Sequence, residues 1–578
     1  MSLPTPLVLL RRRLGRFPDP SPQAPPSESD KGGTGPTTPS PSFEATALLE
    51  RAAWTLVWLG VLIGGVVLWG SWSSWPVIDV LAPALVLFSL AGVALCWSVR
   101  GPRWAVHQGL GMLGALVAVA TPEVITLHTR IYYTTDSAAL DQVASRVLTH
   151  GHNPYTSALT SARLLLHPAA NYWTYMIAGG HVSTVSYPAG SFLFYAPAYA
   201  LGFHHQVVDW MDLYAWLAAA VLVFLLLPSA LRWIAALVTL TGIFTAIFAG
   251  GGTDAAFLPF AVLAVWRWDR YGRAKPAGIA RWLGPVALGL ACSIKQTPWF
   301  LVPFLVIGIA IETRRDGRAP IPVVLRYLAV VVVTFLAVNV AFIVWSPSAW
   351  WHDTLLPFTQ PLVADGQGLV SLALHGMTGG VDLDLLSAAS FVALVGVVVA
   401  YVGWYRYLKG IWLLLLPVVF FFSTRSFSGY MVDLFPIAVV ALLSVEPAAA
   451  EPVLNRRWGP FSVPRLATGA LAVATGVISA LALSTAPLRL SSVSASIGPD
   501  QQQLLSVVVR VTNTTGSTVH PLFMVNIGSP HPDGFWSAAH GRPVALAPHA
   551  TKTVVLFPPT PMYLPPWASD YVIDAYTD

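Results

Sequence analysis

Asp136, Lys295 and Arg425 are the side chains with which this chain could do chemistry, because each carries a charge next to apolar sequence. Asp136 lies in the stretch IYYTTDSAALDQVASRVLTHGHNPYTSAL, residues 131–159. Thr135-Asp136-Ser137 makes a good helix start, and the spacing predicts a helix over Ala138–Thr149 that stops at Gly151. An Asp so placed serves either as a helix cap or as a general base at a water–lipid boundary, and the residues alone leave both open. Asp141 stands five positions on, about 140° round the helix, so the two carboxylates are not expected to converge as an adjacent pair.

Lys295, Arg425 and Asp254 are drawn together by depth. Lys295 is 14 residues beyond Arg281, Asp254 is 13 before Arg267, and Arg425 is 16 beyond Lys409. At a rise of 1.5 Å per residue these are about 21, 20 and 24 Å from basic clusters that mark one membrane face. The hydrocarbon core is about 30 Å thick, so isolated charges at this depth are costly and are expected to line a polar cavity. Each also has a plainer reading. Lys295 can snorkel to headgroups beside Pro298, Asp254 can cap the helix Ala255–Trp266, and Arg425 can anchor the interface.

The elements that must position these groups follow from composition. The chain has 578 residues, 55% hydrophobic and only 10% charged, against about 25% charged in a soluble protein. A water-soluble enzyme and a nucleic-acid binder are excluded, and the solvent for most of the chain is lipid. Cys96 and Cys292 sit inside apolar runs and offer neither a disulfide framework nor a thiolate metal site. No carboxylate/His cluster has metal spacing, so no metal and no cofactor is expected.

Residues 1–45, rich in Pro, Ser, Gly and Thr, are expected to form a disordered cytoplasmic tail. A transmembrane region, 46–486, follows. Its first spans are expected at Ala53–Trp72, Pro76–Val99 and Trp104–Ala120, with Arg51, Arg100 and Arg103 at the inner ends. This arrangement puts the long polar loop 121–187 outside, where chemistry would be carried. Four apolar stretches follow (188–203, 211–228, 233–249, 254–266). An outside-to-inside passage needs an odd number of crossings, so one of them, with 188–203 the first suspect, is expected not to span. Further apolar stretches (282–294 with 299–312, 327–345 with 385–404, 411–423 with 431–445, and Leu466–Thr485) alternate with basic clusters that include Arg314, Arg406 and Lys409. The expected fold is a polytopic α-helical membrane protein of roughly eleven to thirteen transmembrane helices. Residues 487–578 read as an extracytoplasmic β-sandwich, because β-branched runs such as LLSVVVRVTN are punctuated by NTTGST and GSPHPDG. Asn513-Thr514-Thr515 has sequon spacing, but a turn with Gly516 is preferred.

The order of motifs resembles a known family. An outward span and an Asp opening a loop helix are followed by Gly151-His152-Asn153-Pro154-Tyr155, then Tyr187-Pro188 at the next apolar stretch. Further on stand Gly251-Gly252-Thr253-Asp254, Gly289…Lys295-Gln296-Thr297-Pro298, and Thr424-Arg425-Ser426…Tyr430. Together these look like the glycosyltransferase C superfamily over residues 50–450. Within it the likeness is to polyprenyl-phosphate-sugar-dependent transferases of bacterial envelopes, the phosphatidylinositol-mannoside mannosyltransferase type included. That family usually shows a double proline after the tyrosine and an amide where Asp254 stands.

The resemblance implies that Asp136 is the catalytic carboxylate. It implies an inverting transfer of a sugar, most plausibly mannose, from a polyprenyl phosphate to an extracytoplasmic lipid, glycan or protein acceptor at the plasma or inner membrane. Lys295 and Arg425 would stabilise the departing phosphate. Gln296, Asp254, Asp141, Tyr187, His152, Asn153 and Tyr155 are the remaining candidates for contact with substrate; His150 is a further loop histidine. Two readings compete. A transporter or flippase for lipid-linked sugars would want pseudo-symmetric halves, and no repeat is evident. An anchor displaying the β-domain would need one span.

Overall fold

The computed structural model describes residues 41–166, 173–249, 255–273, 278, 280–359, 362–374, 380–446, 462–498, 504–527, 534–538, 543–559 and 571–577. Among these residues, eight helices are long and apolar enough to cross a membrane, the set that a multi-pass membrane protein carries. They are Ala45–Trp72, Pro76–Ser98, Arg103–Thr129, Val207–Leu226, Thr297–Arg315, Pro320–Trp345, Leu383–Gly403 and Val463–Ser484. Five shorter apolar helices accompany them: Ser229–Leu240, Ala255–Val265, Arg281–Ile294, Trp412–Phe421 and Ser428–Leu443. One continuous apolar core runs through the bundle, filled by wholly buried rings such as Trp54, Trp58, Trp216 and Trp412.

Several boundaries differ from expectation. Of the expected tail, residues 1–40 lie outside the described residues, and the first helix begins at Pro41 rather than after residue 45. Proline is a favoured first helical residue because its missing N–H would be unsatisfied there anyway. The third helix does not stop at Ala120 but continues to Thr129. Its polar extension survives because Thr121, Thr126 and Thr129 turn their hydroxyls back onto the carbonyls of Val117, Pro122 and Ile125. The loop therefore starts at Arg130, not at residue 121. The suspected stretch 188–203 forms a helix, Gly190–Ala200, of only 11 residues, about 16 Å and half a hydrocarbon core. The stretch 233–249 breaks at Thr241, whose backbone is extended, into Arg232–Leu240 and Gly242–Ala249.

The basic clusters of the sequence do not all face headgroups. Lys409 is buried, with Nζ 2.9 Å from Asp269 Oδ2 and 3.4 Å from Glu312 Oε1. Tyr405 donates its hydroxyl to Glu312, Arg315 pairs with Glu312 and Arg270 with Glu446. The turns after Trp266, Arg315, Trp404 and Leu443 are thus tied into one charged latch. Two buried carboxylates inside a bundle are tolerable only because cations and a hydroxyl meet them.

Among the described residues, eight strands complete the fold. β1 (Asp365–Gly366) and β2 (Arg425–Ser426) form a small parallel pair between helices. The C-terminal residues form β3 (Leu488–Ile497), β4 (Leu504–Asn513), β5 (Leu522–Ile527), β6 (Phe535–Ala538), β7 (Thr551–Phe557) and β8 (Tyr571–Tyr576). They make one antiparallel sheet in the order β3-β4-β7-β6-β5-β8. Its end strands β3 and β8 also touch, so the sheet curls towards a barrel instead of dividing into the two stacked layers of a sandwich. Two register shifts in β3, at Leu490/Ser492 and Ser496/Ile497, supply the local bending that lets a sheet curl. The Asn513 side chain is wholly buried. Its oxygen accepts from the Thr515 N–H and its amide donates to three carbonyls, so the Asn-Thr-Thr segment is a turn, as its glycine suggested.

Candidate active site

The loop between the third helix and Gly190–Ala200 folds over one end of the bundle, and its helix Asp136–Thr149 carries the first carboxylate. Thr135 holds the cap position and Asp136 is the first helical residue. Its carboxylate reaches across the loop, where the Thr174 amide N–H donates to Oδ2 at 2.7 Å. Burial pushes this carboxyl above its usual range, opposed by the Thr174 N–H and by the Arg425 charge.

Asp136, Asp141, Lys295 and Arg425 line one cavity of about 840 Å³, together with Gln296 and Tyr187. The acid and the two cations, drawn from three distant parts of the chain, therefore share one space. Asp141 lies in the same wall as Asp136 but takes its own partner: Ser191 Oγ donates to its Oδ1 at 3.0 Å. Burial raises the Asp141 carboxyl to about 7, held down from a higher value by the Ser191 hydroxyl and by Lys295. As the helical angle implied, the two acids occupy one cavity without forming a pair.

Lys295 follows the helix Ala280–Ile294, at the break where Gln296 leads into a 3-10 turn. It is only 7% exposed, which removes the snorkelling alternative. Its ammonium lies over the Tyr187 ring at 4.9 Å and the Tyr430 ring at 5.9 Å, and the carboxylates of Asp433, Asp141 and Asp212 act on it. Gln296 holds the surrounding backbone, donating to the carbonyls of Ser186 and Thr354 at 2.9 and 2.8 Å. Gly190 lets this happen, because a Cβ there would collide with the Ser293 carbonyl.

Arg425 is not an interface anchor. Its Nη1 donates to the Val363 carbonyl at 2.9 Å, its Nη2 to Thr174 Oγ1 at 3.4 Å, and Asp365 stands 4.0 Å away. Asp136 and Arg425 thus meet on one residue, Thr174, which gives its N–H to the acid and its hydroxyl oxygen to the cation. The parallel pair β1–β2 fixes this corner. Gly366 has φ +97°, and a Cβ there would run into Ser426, so glycine is required for the close approach.

The Gly-His-Asn-Pro-Tyr motif plays a different part from the expected one. His152 is exposed, and neither it nor Asn153 nor Tyr155 is among the residues lining the cavity. Asn153 accepts from the Tyr155 N–H at 3.1 Å, and Tyr155, buried against Phe192 and Phe342, donates its hydroxyl to the Tyr187 carbonyl at 2.8 Å. The motif braces Tyr187 from behind. His152 lies just beyond a helix end whose final turn is closed by its own backbone N–H on Val147, which leaves its ring on the surface. Asp254 lies outside the described residues.

Sequence reasoning did not single out Trp173, Thr174 or Asp365. Trp173 lines the cavity with its ring 4.3 Å from that of His181. The hold of Thr174 on Asp136 leaves no signal in residue type, since the decisive donor at Thr174 is a backbone amide. Asp365, in Ala364-Asp365-Gly366, was legible as a lone acid in a polar connection. Chemically the arrangement offers a buried carboxylate with raised proton affinity, facing a space that also holds an ammonium and a guanidinium. The lining also takes in hydroxyl side chains such as Ser387, Ser390 and Ser428 and apolar ones such as Ile247, Phe300, Phe391, Leu394 and Phe420. No protein-family model, no curated protein and no solved structure matches the chain.

Proposed function

We propose that this chain is an integral-membrane inverting glycosyltransferase of the glycosyltransferase C kind, which moves a sugar, with mannose the leading candidate, from a polyprenyl phosphate to an extracytoplasmic lipid, glycan or protein acceptor. One observation carries the reading: Asp136, Lys295 and Arg425 line the same cavity. In the proposed step an acceptor hydroxyl attacks the anomeric carbon, a new C–O bond forms there, and the bond from that carbon to the phosphate oxygen breaks. Asp136 takes the hydroxyl proton. The polyprenyl phosphate leaves with the bonding pair, and its charge falls to Lys295 as a point charge and Arg425 as a fork. A single displacement inverts the anomeric centre.

The mixed lining suits such a donor. Charged groups meet the phosphate, while Phe391, two-thirds exposed, continues the apolar wall to the outside of the bundle, where an isoprenoid chain would lie. On this reading the cavity opens on the extracytoplasmic side of the plasma or inner membrane and the β-domain stands there too. The positive-inside bias of the first three spans supports that orientation. Transport of a lipid-linked sugar is the second reading, since the same cavity could bind without transferring. Incubating the purified full chain with a panel of polyprenyl-phosphate sugars and candidate acceptors separates them. Consumption of one donor with release of polyprenyl phosphate supports transfer; intact donor that changes leaflet in vesicles supports transport.

A further inference from the structure

The C-terminal domain sends part of its surface into the loops of the site. Its own core is built from Val507, Val509, Val511, Phe523, Val525 and their neighbours. Met524 and Tyr576 do not belong to it. They are buried instead in a separate cluster with Ile177, Val363, Ala364 and Val370 from the loops of the bundle. Phe535 joins them, its ring 5.5 Å from Tyr175, and the Tyr576 hydroxyl donates to the Ala364 carbonyl at 3.4 Å.

The segment 362–366 shares this cluster through Val363 and Ala364, takes the Tyr576 hydroxyl directly and meets Phe535 through Tyr175; it is a strap with the site on its other flanks. Leu362 bridges Met176 in antiparallel fashion, and the Val363 N–H donates to the Tyr175 carbonyl at 3.0 Å. Both partners directly follow Thr174, whose N–H holds Asp136. On the opposite side Asp365 and Gly366 pair with Arg425 and Ser426, with the Asp365 N–H on Thr424 O at 3.1 Å and the Gln367 N–H on Ser426 O at 2.6 Å. The Val363 carbonyl also takes the Arg425 guanidinium. A shift of the strap therefore moves the acid's donor and the cation together.

We propose that the C-terminal β-domain is a positioning part of the site: through Met524, Phe535 and Tyr576 it holds strap 362–366 and so sets where Arg425 and Thr174 stand relative to Asp136. The predicted effect on catalysis rests on the transferase reading above; the mechanical coupling does not. The test uses the full chain in lipid nanodiscs carrying Met524→Ser, which removes the apolar insert but leaves the sheet's own core, or Tyr576→Phe, which removes only the hydroxyl.

Hydrogen exchange at the amides of Thr174, Asp365 and Gln367 should quicken at least fivefold in Met524→Ser and by less in Tyr576→Phe. Amides of β4 paired to β7 report that the domain is folded and should be unchanged. Strap amides that exchange as in the parent chain, with β4 protected, would overturn the proposal whatever the chain catalyses. Where a donor is consumed, the KM for the lipid-phosphate donor should rise at least threefold with the acceptor KM unchanged. That rise should vanish when Tyr576→Phe is added to Arg425→Gln. Additive effects in the double variant, or an equal loss in every kinetic parameter, would show that the domain does not act through Arg425.

Discussion

Asp136→Asn separates chemistry from folding at this site more cleanly than any other substitution. The asparagine keeps the size of the side chain and an oxygen that can accept the Thr174 N–H now 2.7 Å from the carboxylate. What it loses is the ability to take a proton. A positioned general base is worth about 10²–10⁴ in rate, or about 2.7–5.4 kcal/mol of transition-state stabilisation, so transfer should fall by that factor. Stability should not fall. Burial raises the Asp136 carboxyl above its ordinary value of 3.8, so the folded chain holds the proton more tightly than the unfolded one. The stability contributed by that tighter hold is full below the unfolded value and is lost as pH rises through the folded one. The neutral amide escapes that loss, and at pH 7.5 the variant should unfold at the same temperature as the parent or higher.

The assay is single-turnover transfer from a polyprenyl-phosphate sugar, run beside thermal unfolding in the same detergent. In the parent chain the acid limb of kcat/KM should lie above pH 3.8, because the base works only when deprotonated and burial favours the protonated form. Asp136→Ala is the contrasting variant. It strands the Thr174 N–H, which costs about 1–3 kcal/mol of stability where the amide stays dry. An Asp136→Asn protein that unfolds normally and transfers within about threefold of the parent would refute the assignment of the base, since it lacks the 10²-fold minimum such a group supplies.

Lys295→Ala should weaken donor engagement, raising the donor KM, and should also lower thermal stability, since it leaves the buried Asp433, Asp141 and Asp212 carboxylates with less compensation; unchanged donor binding would remove Lys295 from the site. Asp141→Asn should flatten the pH dependence of stability. Its carboxyl rises from 3.8 to about 7, so it stabilises the fold below about pH 4 and loses up to about 4 kcal/mol as pH passes 7. A parent and variant whose unfolding temperatures track each other from pH 4 to 8 would contradict this. Lys409→Met, in the charged latch, leaves Asp269 and Glu312 buried with less compensation and should destabilise the chain by about 3–5 kcal/mol. A loss below about 1 kcal/mol would mean that the cluster relaxes around water.

The parts of this molecule that the sequence displays are those set by hydropathy and by the cost of burying charge. Long apolar runs announced the helices Val207–Leu226 and Leu383–Gly403, and Lys295 and Arg425, which the sequence put at similar depth, line one cavity. Helix ends were less legible, because Thr121, Thr126 and Thr129 satisfy their hydroxyls on their own helix and look polar only in one dimension. Lys409 reads as one more basic flank until Asp269, 140 residues earlier, is placed beside it. The Asn153–Tyr155 motif reads as a sugar contact because its residue types suit one, yet the fold spends those groups on bracing Tyr187. The strap was invisible for a different reason: its hold on Asp136 and Arg425 runs through backbone amides and carbonyls, which every residue carries.

On the proposed transferase reading, a lipid-borne phosphate would sit between Lys295 and Arg425 with Asp136 facing it. A cryo-EM structure of the full chain in nanodiscs with added polyprenyl phosphate tests it directly. Phosphate density within hydrogen-bonding distance of both the Lys295 ammonium and the Arg425 guanidinium, with the chain running out past Phe391, is the predicted result. Phosphate held among lipid headgroups, with the cavity filled by water alone at saturating ligand, would contradict the account.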